Sequence, residues 1–218
     1  EGSELVERVK NGGRLPMLTS CCPAWIKFME TFYPDLLPHL STCKSPQQMF
    51  GALAKTYFAE KANIDPRKII SVSVMPCTAK KFEAQREEMR ASGWRDVDYV
   101  LTTREMARMI REAGIDFQNL GDAPPDKLMG IYSGATTIFG ATGGVMEAAL
   151  RTAYKLVTGY DIEEIDIVSV RGMEGVKTAT VEAGPLKLNV AVAHGLGNAR
   201  RLLEEIKAGN SPYHLIEV

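Results

Sequence analysis

The sequence predicts an α/β fold, because short apolar runs typical of strands alternate with amphipathic segments typical of helices. Its 218 residues, 45% of them apolar, can bury the core of one large domain or of two closely packed lobes. Gln118–Gly130 is rich in Pro, Gly and Asp and has no periodicity, so we predict a surface connection there. The prediction is a single domain, 1–218, with approximate lobes 1–125 and 126–218.

Helices dominate the first quarter of the predicted fold. The apolar residues Leu5, Val6 and Val9 have helical spacing. Ala24–Tyr33 predicts a helix that follows a Cys-Pro turn. Pro46–Lys61 predicts a second, because proline suits a first helical turn and the preceding serine is a good N-cap.

Strands and helices alternate in the rest of the chain. The β-branched run that ends at Pro76 predicts a buried strand, which leaves Cys77 just past the strand's end, where α/β sheets usually carry their chemistry. Later elements are recognised by the same periodicities and by closing glycines. They are a strand at Val97–Leu101, a helix closed by Gly114, a helix from Gly144 to Gly159, strands at Ile165–Val170, Thr178–Val181 and Leu186–Ala193, a helix at Gly197–Gly209 and a strand at Tyr213–Val218.

Composition narrows the class of partner and compartment. The net charge is −1, from 26 basic and 27 acidic side chains, so no global field favours nucleic acid. No apolar run approaches the roughly 20 residues of a membrane span, and no signal peptide opens the chain. We therefore expect no membrane insertion and a cytoplasmic location. The chain starts without Met on a helical pattern and stops on a strand-like one, so we expect it to be truncated at both ends.

The four cysteines are the first candidates for chemistry. Cys21 and Cys22 are adjacent, and a disulfide is badly strained across one peptide bond. Cys22 and Cys77 each lie beside a proline at the end of an element, where unpaired backbone amides can stabilise a thiolate. Small buried hydrophobic residues are the ordinary interpretation of a lone cysteine. The repeated Cys-Pro and Pro-Cys turns favour a metal, although two thiolates do not complete a zinc or iron–sulfur site.

Other polar features leave alternatives open. Lys80 follows Cys77 by three residues and can pair with Glu83 at i,i+3, a contact worth roughly 0.2–0.5 kcal/mol on an open helix. The glycine-rich stretches Gly140–Gly144 and His194–Arg201 have the setting of phosphate loops but lack a full G-x-G-x-x-G. Tight turns or close backbone approach explain such glycines more often.

Four stretches resemble motifs of the catalytic domain of [FeFe]-hydrogenases. Thr19–Trp25 (TSCCPAW) and Met75–Ala84 (MPCTAKKFEA) are similar to the first two signature motifs. Ser45–Gly51 (SPQQMFG) and Ile138–Arg151 (IFGATGGVMEAALR) match two further stretches of the same domain. The motifs occur in order along essentially the whole chain, and together they are highly specific.

The resemblance implies two lobes, each a small mixed β-sheet flanked by helices, with the active site in the cleft between them. It also implies an H-cluster, in which a [4Fe-4S] cubane is joined to a two-iron subsite that carries CO, cyanide and azadithiolate. Cys22 and Cys77 would be two of the four cubane ligands. The other two would be cysteines of a glycine-rich motif that normally follows a strand such as the last one here.

Further roles also follow from the resemblance. Cys21 would not bind the cubane but would pass protons to the subsite, and Lys80 would hold a cyanide by a charge-assisted hydrogen bond. Protons would reach Cys21 from the surface through four residues, namely Glu1, Ser41, Glu4 and Arg8. The rest of the shell around the subsite would be formed by six residues, namely Ser45, Pro46, Gln47, Met75, Phe139 and Gly140.

The activity implied is the reversible reduction of protons to H2, with electrons from a ferredoxin or another iron–sulfur carrier domain or subunit. A first alternative is a non-catalytic relative with a role in iron–sulfur assembly or sensing. Cys21 and Lys80 argue against it, because neither would hold the cubane. A second alternative is a nucleotide-binding enzyme that uses the stretch His194–Arg201.

Overall fold

A computed structural model describes residues 1–126, 128–129, 134–162, 168–169 and 174–218. The helices are α1 (Gly2–Asn11), α2 (Pro23–Phe32), α3 (Pro46–Leu53), α4 (Ala59–Lys61), α5 (Ala79–Gln85), α6 (Thr103–Glu112), α7 (Ala135–Ile138), α8 (Gly144–Thr158) and α9 (Leu196–Lys207). The strands are β1 (Met17–Leu18), β2 (Val72–Met75), β3 (Tyr99–Thr102), β4 (Val168–Ser169), β5 (Val176–Ala183), β6 (Leu186–Ala193) and β7 (Leu215–Glu217). The predicted α/β class, with small sheets flanked by helices, is confirmed.

The chain divides into two compact units. Unit 1 comprises Glu1–Cys43 and Tyr132–Val218, and unit 2 comprises Lys44–Ile131. This division differs from the predicted lobes 1–125 and 126–218, because the first 43 residues belong with the C-terminal part of the chain. The reason is long-range pairing, since β1 forms a parallel ladder with β7.

Unit 1 is built around a mixed five-stranded sheet in the order β1-β7-β6-β5-β4. The strands β1, β7 and β6 are parallel, and β6, β5 and β4 are antiparallel. Helices cover both faces, since α1 and α8 contribute Leu5 and Leu150 to one apolar cluster, and α2 and α9 contribute Trp25 and Leu202 to the other. Alternate residues of β6 join opposite clusters, as expected for a strand buried on both faces.

The carboxyl ends of the parallel strands determine where unit 1 can carry chemistry. The two-residue β1 leads directly into Thr19–Cys22, and β7 ends at Glu217. The backbone N–H of Thr19 donates to Ile216 O at 3.0 Å, and that of Val218 donates to Thr19 Oγ1 at 3.3 Å. The cysteine pair and the end of β7 are therefore held at the same edge of the sheet.

Unit 2 contains a parallel pair, with Val72–Met75 of β2 opposite Tyr99–Thr102 of β3. Lys55, which lies in a π-helical turn after α3, is almost fully buried. Its ammonium donates to Asp98 Oδ2 and Arg95 O, both at 2.6 Å. Asp98 also accepts the backbone N–H of Ser71 at 2.7 Å, so one partly buried ion pair joins the helix to the residue before β2.

The element boundaries agree with the predictions where the signal is local. The helix predicted at Pro46–Lys61 is present as α3, the π-helical turn Ala54–Phe58 and α4. The strand before Cys77 ends at Met75, and the strand at Leu186–Ala193 is confirmed at both ends. The strand at Ile165–Val170 lies mostly outside the described residues, and its described part is β4.

Some boundaries were wrong. β3 lies at Tyr99–Thr102 instead of Val97–Leu101, because the side chain of Val97 is buried against Gly51. β7 is shorter than predicted, since the backbone N–H and ring Nδ1 of His214 bind Asn189 O and N just before the strand begins. Over the described residues, no helix is both long and apolar enough to cross a membrane.

We predict that Gly51→Ala destabilises unit 2. An added Cβ would lie 2.5 Å from Asp96 O and 2.7 Å from Val97 Cγ2, and a backbone oxygen cannot move away cheaply. Overpacking of this kind costs about 1–3 kcal/mol, which outweighs the roughly 0.5–1 kcal/mol that alanine gains over glycine inside a helix. Urea denaturation checks it, with Gly121→Ala as the control because its Cβ would meet no atom within 4 Å. Equal stability of the two variants would contradict the predicted clash.

Candidate functional site

In unit 1 the adjacent cysteines lie between β1 and α2. Cys22 is the N-cap residue of α2, with an extended backbone at φ −97° and ψ 111°, and Pro23 occupies the first helical position. The Cys22 carbonyl accepts the N–H of Ile26 at 3.0 Å. The indole N–H of Trp25 donates to Thr19 O at 3.0 Å inside the core. Both ends of the turn are thus fixed, and both cysteines are partly buried.

In unit 2 the third site cysteine follows β2. Cys77 is partly buried, one residue after Pro76 and two residues before α5 begins at Ala79. Its carbonyl accepts the N–H of Lys80 at 3.4 Å, so the turn of α5 starts on Cys77 itself. Cys77 therefore lies at a strand-to-helix turn, as predicted.

The cysteine thiols are of the kind that binds iron–sulfur clusters. All four cysteines are described, and none of them forms a disulfide. Cys22 and Cys77 offer two soft sulfur ligands, while an iron–sulfur cluster usually needs four. Within the described part of the chain, no three His, Cys, Asp or Glu side chains are grouped as ligands of one metal ion. The donor chemistry is right at the two predicted positions, and these supply half of the set.

A chain of carboxylates and hydroxyls occupies unit 1 beside the cysteine pair. Glu1 Oε1 accepts the backbone N–H of Ser20 at 3.0 Å and lies 3.2 Å from the Ser20 hydroxyl. The hydroxyl of Ser41 donates to Glu4 Oε2 at 2.6 Å, and Arg8 Nη2 donates to Glu4 Oε1 at 2.7 Å. We call these five residues, namely Glu1, Ser20, Ser41, Glu4 and Arg8, the carboxylate chain. It includes all four residues predicted for proton transfer.

Cys43 joins the two halves of the carboxylate chain. Its carbonyl lies 2.6 Å from the Ser20 hydroxyl, and its backbone N–H donates to Ser41 Oγ at 3.2 Å. Its thiol also lies 3.8 Å from Glu4 Oε2, within range of a sulfur hydrogen bond. Sequence analysis missed Cys43 and Ser20, because three of these contacts span 19, 23 and 39 positions of the sequence and local patterns do not report them.

The electrostatics of the carboxylate chain favour a charged Glu4. Burial opposes its ionisation, but hydrogen bonds from Ser41, Thr42 and Arg8 outweigh burial and lower the pKa of Glu4 below its ordinary value. The Arg8 guanidinium is held in turn by Leu40 O at 2.7 Å and His39 O at 3.2 Å. Glu4 and Arg8 line a cavity of about 320 Å³ that opens to the surface of unit 1.

A second polar cluster is centred on Glu83 in unit 2. Its atom Oε2 accepts from Ser45 Oγ at 2.9 Å, from Gln47 Nε2 at 3.3 Å and from Lys80 Nζ at 3.1 Å. We call these four residues the Glu83 cluster. The Lys80 and Glu83 side chains are only 11% and 4% exposed, so the small value of an ion pair on an open helix does not apply to them.

The Glu83 cluster is tied to its surroundings at both ends. Ser45 Oγ also accepts the N–H of Gln48 at 3.3 Å, which makes Ser45 the predicted N-cap of α3. The hydroxyl of Ser73, on β2, donates to Gln47 Oε1 at 2.8 Å. Three residues predicted for the shell around the subsite, Pro46, Gln47 and Met75, line one apolar cavity of about 420 Å³ in unit 2.

The glycine-rich loop before α8 contains two predicted site residues, Phe139 and Gly140. Phe139 is 39% exposed, and a Cβ added at Gly140 would meet only Thr137 O at 3.8 Å, an ordinary contact. A Cβ at Gly144 would lie 1.7 Å from Ile138 O, so only glycine fits there. Close backbone approach explains Gly144, as the ordinary interpretation predicted.

Glu217 anchors this loop and was missed by sequence analysis. The side chain is buried, and its two oxygens accept the N–H of Met146 at 2.6 Å and of Gly143 at 2.9 Å at the start of α8. Burial is the main cause that raises the pKa of Glu217, and the negative Glu1 raises it further, while the two N–H groups oppose them. A glutamate at the end of an apolar strand was the available signal.

The stretch proposed for nucleotide binding is occupied by its own contacts. Asn198 Nδ2 donates to His194 O at 2.8 Å, and His194 Nδ1 lies 3.3 Å from Thr142 Oγ1. The N–H of Asn198 and that of Ala199 both bind Gly195 O. The glycines therefore serve a tight strand-to-helix turn.

Fold and site together define a class, an α/β protein whose strand ends carry partly buried cysteines next to buried acid–base groups. Comparison with known proteins then gives the family. The sequence model of the iron only hydrogenase large subunit, C-terminal domain, matches residues 1–218. The chain belongs to this family.

Individual relatives agree with the family. The periplasmic [Fe] hydrogenase large subunit of Nitratidesulfovibrio vulgaris is 56% identical over all of this chain and 52% of its own length. Iron hydrogenase 1 of Clostridium pasteurianum is 50% identical over all of this chain and 38% of its own length. More distant relatives, 37% identical in Pongo abelii, are named cytosolic iron-sulfur assembly component 3.

The fold also matches solved structures. A variant of the apo [FeFe]-hydrogenase HydA1 from Chlamydomonas reinhardtii superimposes with a TM-score of 0.85 at 41% identity, over 99% of this chain and 62% of that one. The chain thus spans about half or less of the curated hydrogenases it matches and under two thirds of the solved chain.

We predict that Glu217→Gln changes how stability depends on pH. In the folded protein the pKa of Glu217 lies above the ordinary glutamate value of about 4.3. The stabilisation that the protonated Glu217 gives the fold is therefore fully present below the ordinary value and is lost as pH rises through the folded pKa. The free energy of unfolding of the wild type should fall relative to the variant over this window. Urea denaturation across a pH series measures it.

Glu105→Gln is a control of opposite sign for this experiment. Hydrogen bonds from Lys81 and Thr102 lower the pKa of Glu105 to about 2, so its contribution grows as pH rises from there to the ordinary glutamate value. A difference between wild type and Glu217→Gln that does not vary with pH would contradict the prediction.

Proposed function

We propose that the protein is the H-cluster domain of an [FeFe]-hydrogenase, which catalyses 2H⁺ + 2e⁻ ⇌ H2. The observation that carries the proposal is the neighbourhood of Cys21 and Cys22 in unit 1, where two adjacent, partly buried thiols directly follow Ser20, which contacts Glu1 of the carboxylate chain. Family membership and hydrogenase relatives at 50–56% identity support it.

The H-cluster, when bound, supplies the redox chemistry and the open iron position at which H2 is made or split. Cys22 and Cys77 would hold the cubane as thiolates. Lys80 would donate a charge-assisted hydrogen bond to a cyanide, and Gly140 would leave space beside the subsite, as its uncrowded Cβ direction supports. The remaining shell would come from Ser45, Pro46, Gln47, Met75 and Phe139.

The carboxylate chain would carry protons between the surface and Cys21. Arg8 and Glu4 border the cavity that opens to solvent, and the Ser41 hydroxyl is already hydrogen-bonded to Glu4. The Ser20 hydroxyl lies 3.2 Å from Glu1 Oε1, and Glu1 would pass the proton to Cys21. Each hydroxyl can accept one proton while it donates another. The contacts that link Ser41 to Ser20 run through the backbone of Cys43, so a proton needs a side-chain movement or a water molecule to pass from Ser41 to Glu1.

The electron partner proposed is a ferredoxin or another iron–sulfur carrier domain or subunit. A cytoplasmic location stays a prediction, since the relative from Nitratidesulfovibrio vulgaris is named periplasmic. The role in iron–sulfur assembly is the second candidate, and it is favoured only by relatives at 34–37% identity. Hydrogen evolution by the protein with a reduced dye separates the two functions, because an assembly factor should evolve none.

We predict that Cys21→Ala abolishes most turnover but leaves the cluster in place. General acid–base catalysis contributes about 10²–10⁴-fold, and alanine removes the thiol that would relay the proton. Hydrogen evolution should fall by this factor, while the CO and cyanide bands in the infrared spectrum of the holoenzyme keep their intensity. Wild-type turnover in the variant would refute the relay.

We predict that Cys22→Ala and Cys77→Ala each prevent stable cluster assembly, because each removes one thiolate from a site that needs four. Iron content and the visible absorption of the purified protein measure the loss. Cys43→Ser is the matched control, since Cys43 is outside the proposed ligand set and should leave iron content unchanged. Full iron loading in either alanine variant would remove that residue from the ligand set.

A further inference from the structure

The Glu83 cluster concentrates three donors on one carboxylate oxygen. Ser45 and Gln47 come from the first turn and N-cap of α3, and Lys80 comes from α5, yet all three donate to Glu83 Oε2. Glu83 is 3% exposed, so water does not compete for this oxygen. The contacts are therefore built into the packing of α3 against α5.

The negative charge of Glu83 also stabilises the buried ammonium of Lys80. The Lys80 side chain is only 11% exposed, so its ammonium is largely removed from water, and an opposite charge close by must offset this loss. Glu83 supplies that charge at 3.1 Å. The bond to Glu83 limits the directions in which the N–H donors of this ammonium can point.

The second attachment of Gln47 makes the cluster rigid. Gln47 Nε2 is also 3.3 Å from Lys80 O, so the amide bridges the backbone of the lysine and the carboxylate that binds its side chain. The other end of the amide accepts from Ser73 on β2. Displacement of Glu83 would therefore disturb Lys80 and Gln47 together.

We propose that Glu83 is a positioning residue of the active site, which fixes Lys80 in the direction needed to bind the anionic diatomic ligand of the cofactor, while Gln47 braces both residues. This inference rests on the proposed function and extends it to a residue with no contact of its own to that ligand. Glu83 acts through Lys80, so its effect should be visible at the cyanide.

The test compares Glu83→Gln with Glu105→Gln. Glutamine keeps the shape of Glu83 and an oxygen that can accept from Ser45, but it removes the charge that holds Lys80. Glu105 is the matched control, because it pairs with the adjacent Lys81 at 2.6 Å on the surface, where the two side chains are 39% and 41% exposed. Infrared spectra of the holoenzymes report the cyanide stretches.

The expected result is a shift of the cyanide bands in Glu83→Gln, with turnover at least tenfold lower, and wild-type bands in Glu105→Gln. A double-mutant cycle with Lys80→Gln separates positioning from a merely structural role. If Glu83 acts through Lys80, adding Glu83→Gln to Lys80→Gln should move the bands no further. A further shift in the double variant, or unchanged bands in Glu83→Gln, overturns the proposal.

A second variant and the wild-type spectrum complete the experiment. If Glu83→Gln does not fold, Glu83→Asp keeps the charge but withdraws it by one methylene, and its cyanide bands should shift; unchanged bands refute the role of Glu83. A wild-type holoenzyme that lacks CO and cyanide bands refutes the proposed function itself, whereas wild-type bands that Glu83 variants do not alter refute only the positioning role.

Discussion

The parallel pairing of β1 with β7 is the interaction on which unit 1 depends. Only two residues of β1, Met17 and Leu18, take part, but both are fully buried between the two apolar clusters of the unit. The ladder therefore gains most of its stability from burial of side chains rather than from its few backbone hydrogen bonds. Because the strand is so short, the residues that follow it leave the sheet at once, and the cysteine pair stands at its edge.

Three carboxylates that are wholly or partly removed from water are stabilised by different sets of partners. Glu4 is held by a guanidinium and a hydroxyl, and its pKa is lowered. Glu217 is held by two backbone N–H groups at a helix N-terminus, which is too little to offset burial, and its pKa is raised. Glu83 is held by an ammonium, a hydroxyl and an amide. Burial acts to raise the pKa of both Glu4 and Glu217, and the partners of Glu4 outweigh this effect whereas those of Glu217 do not.

Local signals in the sequence were sufficient for most helices, for β6 and for the turns that carry Cys22 and Cys77. A proline after Cys22 and a serine before Pro46 determine where a helix begins within a few residues, so their effect is visible without tertiary structure. The contacts of Glu217 and Ser20 involve backbone groups that are distant in sequence, since Gly143 and Glu217 are 74 positions apart. Residue type says nothing about such partners, and periodicity could not place the first 43 residues against the C-terminal strands.

Gly140 lies in the loop before α8 and Gly144 is the first residue of that helix, and the difference between them bears on engineering. Position 144 is closed to every other residue, because the backbone of Ile138 occupies the space that a side chain would need. At position 140 an added Cβ would meet Thr137 O at 3.8 Å, an ordinary contact, so alanine fits there without moving the backbone. The loop can therefore be varied at position 140 while its fold is preserved, whereas position 144 must stay glycine.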